Sequence, residues 1–217
     1  KYLFSSLKDK NSVADFTKNI YYFINTYKNN NIKVINESNV AVNYNRLNTD
    51  LIPEMKKNDI LFIQGAGNEQ SHYSNYTQYL NNTIDDNLLV IAALSYTYKV
   101  DPVDNINKLA AVTSFGNDPV ADFSVYALVL YDYNPKSSGI SGTSAATMIA
   151  STIITQYYTI RPCWNYKNMV KFIYSILRPT SELGITDDKT KTKSYLTYSN
   201  LIFDDKYVNS LDLPVCG

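Results

Sequence analysis

The chain of 217 residues has 45% hydrophobic content, which is enough to bury a full core, most simply as one α/β domain. Its 20 basic residues balance its 20 acidic ones, so charge gives no reason to expect binding to nucleic acid or to an anionic membrane. No apolar run is long enough to span a bilayer. The chain opens at Lys1 without a methionine or a signal peptide, so we expect a processed product, a truncated version or a fragment.

The N-terminal region predicts an amphipathic helix. Ser12 and Asp15 resemble a capping box, and apolar residues follow at helical spacing until an asparagine-rich break at residues 29–31. These apolar residues are Val13, Phe16, Ile20, Phe23, Ile24 and Tyr27.

Continuous apolar runs then predict strands that alternate with helices. A short helix is expected around Pro53, starting after Thr49. The predicted strands cover residues 32–36, 60–64, 88–94 and 122–130. Strands that are apolar throughout are typical of a parallel sheet buried on both faces. The predicted fold is therefore α/β, a mostly parallel sheet with helices on both faces.

Two turns fall where such folds carry their active sites, at the carboxyl ends of strands. One is Gly65–Asn68, and the other is Ser141–Ser144, which precedes a run of small and apolar residues. This run predicts a buried helix whose first turn holds Ser144. A serine there could attack an acyl carbon while helix-start amides stabilise the oxyanion. The alternative is a small-residue helix cap beneath a close crossing.

The two cysteines, Cys163 and Cys216, cannot by themselves form a disulfide framework or a zinc site. Two alternatives remain open. The cysteines form one bridge that ties the C-terminal tail to the end of the Ser144 helix, or they remain two reduced thiols. Asn75 and Asn81 begin glycosylation sequons, which matter only in a eukaryotic secretory route.

Two segments carry a family resemblance. The segment Gly142–Thr147 resembles the nucleophile signature of the subtilases, the subtilisin-like serine proteases, and Gly65–Glu69 resembles the strand end that carries the oxyanion-hole asparagine of that family. Further segments match in register, and together they cover almost the whole chain. They are Val34–Ser38, Ala111–Gly116 with Asp122, Pro162–Asn165 with Val170, and Leu201–Ile202. The chain thus resembles the C-terminal two-thirds of a subtilase domain. Other serine hydrolase signatures fit less well, since Ala146 stands where an α/β-hydrolase elbow needs glycine and no Ser-x-x-Lys dyad begins at Ser144.

The resemblance implies a secreted or extracytoplasmic endopeptidase that cleaves peptides or proteins without a cofactor or metal. It implies Ser144 as nucleophile and Asn68 as oxyanion-hole donor. The residues that it implies for substrate binding are Ser38, Asn39, Val40, Gly65, Ala66 and Gly67.

The family's general base and its orienting aspartate precede the region that residues 1–217 match, so a preceding segment or a second chain is the expected source of both. The only histidine, His72, follows Asn68, and we interpret it as a solvated loop residue. Val40 and Ala41 replace family glycines at the substrate edge, where their side chains would crowd a bound peptide. The alternative function is therefore a catalytically inactive subtilase-like domain that serves as a binding or structural module. Other departures are Tyr126–Ala127, in place of Pro-Gly, and Met148, in place of a proline.

Overall fold

The computed structural model describes most of the predicted sheet and all of the Ser144 helix. The described residues are 31–38, 51–67, 86–100, 107–113, 121–126, 142–185 and 188–217, with residues 18, 21, 22 and 24–26 near the N-terminus. The described N-terminal residues are helical and Ile24 is buried, in agreement with the predicted first helix. Ser12 and Asp15, the proposed capping box, lie outside the described residues.

The described strands form one mixed sheet in the order β1-β2-β3-β5-β7-β6, with β4 paired to β3. The strands are β1 (Val34–Glu37), β2 (Leu61–Gly65), β3 (Leu88–Val100), β4 (Asn107–Thr113), β5 (Phe123–Tyr126), β6 (Arg178–Pro179) and β7 (Ser194–Leu196). The pairs β1/β2, β2/β3, β3/β5 and β5/β7 are parallel. The pairs β3/β4 and β6/β7 are antiparallel. The prediction of a mostly parallel sheet is confirmed.

Helices cover both faces of the sheet, as predicted. They are α1 (Ile52–Lys57), α2 (Gly142–Ile160), α3 (Tyr166–Ile176) and α4 (Asp205–Ser210), with 3₁₀ turns at Thr180–Leu183 and Asn200–Phe203. Side chains alternate between the two faces along β2. Leu61 and Ile63 join the core beneath α2 and α3, whereas Phe62 joins a second core that includes α1.

Helix α2 presents a narrow, small-residue surface to the sheet. Ala145, Ala146 and Ala150 are almost completely buried, so the helix backbone approaches the strands closely. Met148 lies on the outer side and is partly exposed. The N-terminal end of α2 is thereby brought to the carboxyl ends of β1 and β2.

The structure differs from the predicted elements in two places. β3 continues past Leu94 to Val100 and forms an antiparallel hairpin with β4, which includes Ala111–Thr113. The C-terminal strands β6 and β7 also extend the sheet beside β5 and were not predicted. Strand β5 begins at Phe123, close to the predicted start at Asp122, and residues 127–130 lie outside the described part of the chain.

Cys163 and Cys216 form a disulfide, so the first of the two alternatives for the cysteines applies. The bridge joins the turn after α2 to the C-terminal tail across 53 residues. Beside it, Trp164 Nε1 donates a hydrogen bond to the Pro214 carbonyl at 2.7 Å, and Leu213 is buried. The tail is therefore part of the folded core rather than an appendage.

Within the described residues, none of the helices is long and apolar enough to cross a membrane.

Tyr157 of α2 makes the stability of the fold sensitive to alkaline pH. Its side chain is fully buried, its hydroxyl oxygen accepts a hydrogen bond from the Ser199 amide at 2.8 Å, and burial raises its pKa to about 12. In the unfolded chain this group ionises near pH 10. The contribution of Tyr157 to the free energy of unfolding is therefore fully present below pH 10 and is lost as the pH rises towards 12. We expect Tyr157 alone to account for a loss of about 2–3 kcal/mol of unfolding free energy across this range, measured by urea unfolding followed by circular dichroism.

Tyr157→Phe is the matched control, because it keeps the ring and removes the ionisable hydroxyl. The variant should lose less stability than the parent between pH 10 and 12. A residual slope is expected, since burial also raises the pKa of Tyr158 and Tyr174. Identical slopes for parent and variant would show that Tyr157 does not carry this dependence.

Candidate active site

The carboxyl ends of β1 and β2 lie side by side, because the two strands are parallel and pair Glu37 with Gln64. Ser38 follows directly after β1, and Gly65 is the last residue of β2. Helix α2 begins at Gly142 and contacts both strands. The structure thus brings together three segments that the sequence predicted to form the site.

Ser144 lies in the first turn of α2 and is half-buried. Its hydroxyl donates a 2.6 Å hydrogen bond to the backbone carbonyl of Ser38. A carbonyl accepts this hydrogen bond but cannot remove the proton at neutral pH, so the contact orients the hydroxyl without activating it. The Ser144 amide lies in the first helical turn, where an amide has no carbonyl four residues before it within the helix. An amide in this position can bind an oxyanion.

Thr143 joins the start of α2 to the end of β2. Its Oγ1 accepts a buried 3.2 Å hydrogen bond from the Gly67 amide. Gly67 has a φ of 94° and Gly142 a φ of 84°, values that a residue with a Cβ rarely adopts. The two glycines therefore allow the turn before Asn68 and the start of α2 to meet.

The approach of α2 to β2 depends on the absence of a side chain at Gly65. A Cβ at this position would lie 3.1 Å from Thr147 Oγ1 and 3.3 Å from Thr143 Oγ1. Thr147 is itself fixed, since its hydroxyl donates to the Thr143 carbonyl at 2.6 Å. A residue with a Cβ at position 65 would have to displace these threonine side chains by a few tenths of an ångström.

We expect Gly65→Ala to lower the free energy of unfolding by about 1–3 kcal/mol, the usual cost of overpacking a core contact. Urea unfolding measures this loss. The double variant Gly65→Ala/Thr147→Ala removes the nearer of the two clashing atoms and should recover part of the stability. If the two substitutions are simply additive, the close approach at Gly65 does not limit the position of α2.

The described part of the site carries little charge. The first turn of α2 has no acidic residue. No carboxylate of this turn therefore offsets the positive end of the helix dipole, which faces the site. Glu37 is buried, and strand alternation directs it away from α2. Among the described residues, no cluster of three or more His, Cys, Asp or Glu side chains could hold a metal ion. This environment favours a developing negative charge.

The described residues include five of the eight predicted site residues. Ser144 contacts Ser38, and the Gly65–Gly67 segment adjoins the first turn of α2, with Ala66 fully buried. Asn68, Asn39 and Val40 lie outside the described residues, as does His72. The distance between Asn68 and Ser144 therefore stays a prediction.

Two residues that the sequence did not single out lie beside the candidate site. Ser151 Oγ donates to Asn36 Oδ1 at 2.9 Å, and Asn36 Nδ2 donates to Ser38 Oγ at 2.9 Å. Neither Asn36 nor Ser151 carries a motif that indicates a role, and their partnership spans 115 residues. Their positions in the sequence are the only signal: Asn36 lies two residues before Ser38, and Ser151 lies about two helical turns after Ser144.

No family model matches the chain, and no curated protein matches its sequence. Solved structures do match it. The prenylagaramide maturation protease PagA superimposes with a TM-score of 0.55 at 18% identity, covering 97% of this chain and 71% of that protein. The S41 psychrophilic protease gives 0.52 at 20% identity, covering 75% of this chain and 55% of the other. Sphericase gives 0.53 at 17% identity, covering 78% and 56%.

The match to the last two proteins spans little more than half of their length. At these levels of identity the likeness is one of fold. The mostly parallel sheet with its helices agrees with the fold of these proteases. The chain therefore has the α/β fold of subtilisin-like proteases.

Proposed function

We propose that this chain is the larger part of a subtilisin-like serine endopeptidase. One observation carries the proposal. Ser144 stands in the first turn of α2 against the carboxyl ends of β1 and β2, in a fold shared with proteases. A helix-start serine beside two strand ends can be approached by a peptide carbonyl and by the groups that stabilise its oxyanion.

In the proposed reaction, Ser144 Oγ attacks the carbonyl carbon of a peptide bond and its proton passes to a base. The carbonyl oxygen becomes an oxyanion, which accepts hydrogen bonds from the Ser144 amide and the side-chain amide of Asn68. Collapse of the tetrahedral intermediate releases the amine product, which takes the proton from the base. Water then attacks the acyl-enzyme in the same way and releases the acid.

The base and its orienting carboxylate come from a segment outside this chain. Among the described residues no histidine lies near Ser144, whose hydroxyl instead donates to the Ser38 carbonyl. We place this segment beside β1, which stands at the end of the described strand order. A strand there would deliver its C-terminal residue beside Ser38, close enough to serve Ser144.

The substrate would lie as an extended strand between the chain after β1 and the chain after β2. In this proposal one side of the cleft would consist of Ser38, Asn39 and Val40, and the other side would consist of Gly65–Gly67. Backbone groups of both sides would hydrogen-bond the peptide, as in other cases of strand addition. The disulfide supports an oxidising, extracytoplasmic compartment for this reaction.

The second candidate function is a non-catalytic binding or structural module with the same fold. The contact between Ser144 and the Ser38 carbonyl favours it, since the hydroxyl is satisfied without any base. Val40 and Ala41 also favour it, because their side chains would narrow the strip that a peptide backbone occupies. The pair of Ser144 and Asn68 favours the protease, because a binding module has no chemical need for both.

A fluorophosphonate probe distinguishes the two candidates, because it labels only a serine that a base activates. We expect little labelling of the isolated 217-residue chain. The protein that contains the preceding segment should label, and the label should disappear in Ser144→Ala but remain in Ser210→Ala, an exposed serine on α4. Absence of labelling in the longer protein would favour the binding module. Equal labelling of both preparations would point to another base, with His72→Ala as the first variant to examine.

A further inference from the structure

A chain of hydrogen bonds ties α2 to β1 next to the proposed nucleophile. Ser151 Oγ donates to Asn36 Oδ1 at 2.9 Å, and Asn36 Nδ2 donates to Ser38 Oγ at 2.9 Å. The carbonyl of the same Ser38 accepts from Ser144 Oγ at 2.6 Å. This series of hydrogen bonds thus connects Ser151 of the helix to β1, and connects the end of β1 back to Ser144 of the same helix.

The geometry makes this a two-point attachment of one helix to one strand. Ser144 and Ser151 are seven residues apart, which is about two helical turns, so they lie on the same side of α2. Asn36 and Ser38 are two residues apart along the strand direction, so both face the helix. Ser151 is 5% exposed and Asn36 is half-buried, which shields the contact between them from competing water.

Asn36 suits this position because its amide provides one acceptor and two donors in a fixed plane. Its oxygen meets the helix and its nitrogen meets Ser38, so the orientation of the amide links the two contacts. The hydrogen bond from the Gly67 amide to Thr143 Oγ1 fixes the start of the helix relative to β2. The contact of Ser151 with Asn36 fixes it relative to β1.

We propose that Asn36 and Ser151 are positioning residues for Ser144, and this inference rests on the proposed protease function. Together they fix the position of the Ser38 carbonyl relative to the first turn of α2. The Ser144 hydroxyl is thereby held at the end of β1, where the base and the substrate carbonyl would meet it. A displacement of a reacting group by about 1 Å can cost about 100-fold in rate.

The test measures the second-order rate constant of fluorophosphonate labelling in the longer protein that contains the base. Ser151→Ala removes the hydroxyl that reaches Asn36 and, because alanine favours helix, should leave the stability of α2 intact. We expect its labelling rate to fall about tenfold, a smaller effect than a full 1 Å displacement. The matched control is Thr152→Ala on the same turn, whose exposed hydroxyl bonds only the Met148 carbonyl of its own helix.

A double-variant cycle separates positioning from general destabilisation. Asn36→Leu alone should slow labelling at least as much as Ser151→Ala, and the combined variant should be no slower than Asn36→Leu, because both changes break the same link. For peptide hydrolysis the loss should appear in kcat, with KM little changed, while the thermal midpoint stays near that of the parent.

The possible outcomes are distinct. If the parent protein labels and Ser151→Ala labels at the parental rate, the positioning role is wrong while the protease function stands. The role is also wrong if Thr152→Ala slows labelling as much as Ser151→Ala, or if the Asn36→Leu and Ser151→Ala effects multiply. If the parent itself does not label, the proposed function fails first.

Discussion

Replacing Ser144 with alanine should lower kcat for peptide hydrolysis on the order of 10⁶-fold in the protein that contains the base, the magnitude that subtilisin itself shows for loss of its serine. The reason is that the Ser144 hydroxyl contacts the end of β1, whereas the Thr143 hydroxyl in the same turn accepts a hydrogen bond from the Gly67 amide after β2. Asn68→Ala should be milder, about 100- to 1000-fold, since one oxyanion donor remains; this magnitude is also the one measured for subtilisin.

Fluorogenic peptides of varied sequence provide the assay, with kcat and KM determined separately. The loss in Ser144→Ala should fall on kcat, because the hydroxyl acts in the chemical step rather than in substrate binding. The Ser210→Ala variant on α4 serves as the control and should match the parent. If Ser144→Ala retained more than about one-hundredth of parental activity, the nucleophile would be another residue.

Loss of the disulfide should have the largest effect on stability. The bond between Cys163 and Cys216 closes a loop of 53 residues that includes α3, β6, β7 and α4. Closing such a loop restricts the unfolded chain, and the chain-entropy relation gives about 4 kcal/mol for this length. We therefore expect the double variant Cys163→Ser/Cys216→Ser to lose about 3–4 kcal/mol of unfolding free energy.

Urea unfolding with and without reductant provides this measurement. Dithiothreitol should destabilise the parent by a similar amount and leave the double variant unchanged, which is the internal control. The contact between Trp164 and Pro214 should weaken at the same time, so a change in tryptophan fluorescence should accompany reduction. A loss below about 1 kcal/mol would mean that the packing of the tail, rather than the bridge, fixes the C-terminal region.

The strands that the sequence predicted well are those buried on both faces. Residues 61–63 of β2 and the first half of β3 are continuously apolar, because helices cover both sides of the sheet there. The second half of β3 was missed. Its sequence alternates small or charged residues with tyrosine and valine over residues 95–100, which suits an antiparallel hairpin rather than a buried parallel strand.

The C-terminal strands were missed because neither is long enough to show a pattern. β7 has three residues and β6 has two, one of them Pro179. They are specified by pairing with β5 and with each other, which is a tertiary effect. Whether such short segments form strands depends on their pairing within the sheet rather than on local propensity.

The site was predictable where one segment contains a recognisable combination of residues. Ser144 follows a glycine that permits a close helix start, and Gly67 precedes Asn68 at a strand end. The link between Asn36 and Ser151 could not be predicted, because a hydrogen bond between an asparagine and a serine 115 residues apart leaves no pattern in the sequence. Its existence depends on where α2 crosses β1.

The central claim is that Ser144 and Asn68 form one oxyanion hole, and the most direct measurement is the distance between them in a crystal structure that resolves both residues. We expect the Asn68 side-chain amide and the Ser144 backbone amide within about 6 Å of each other, since each must reach one oxygen over about 3 Å. In a fluorophosphonate adduct, the phosphoryl oxygen should accept hydrogen bonds from both. A separation clearly greater than about 6 Å, with the Asn68 side chain directed elsewhere, would contradict the oxyanion hole and the mechanism built on it.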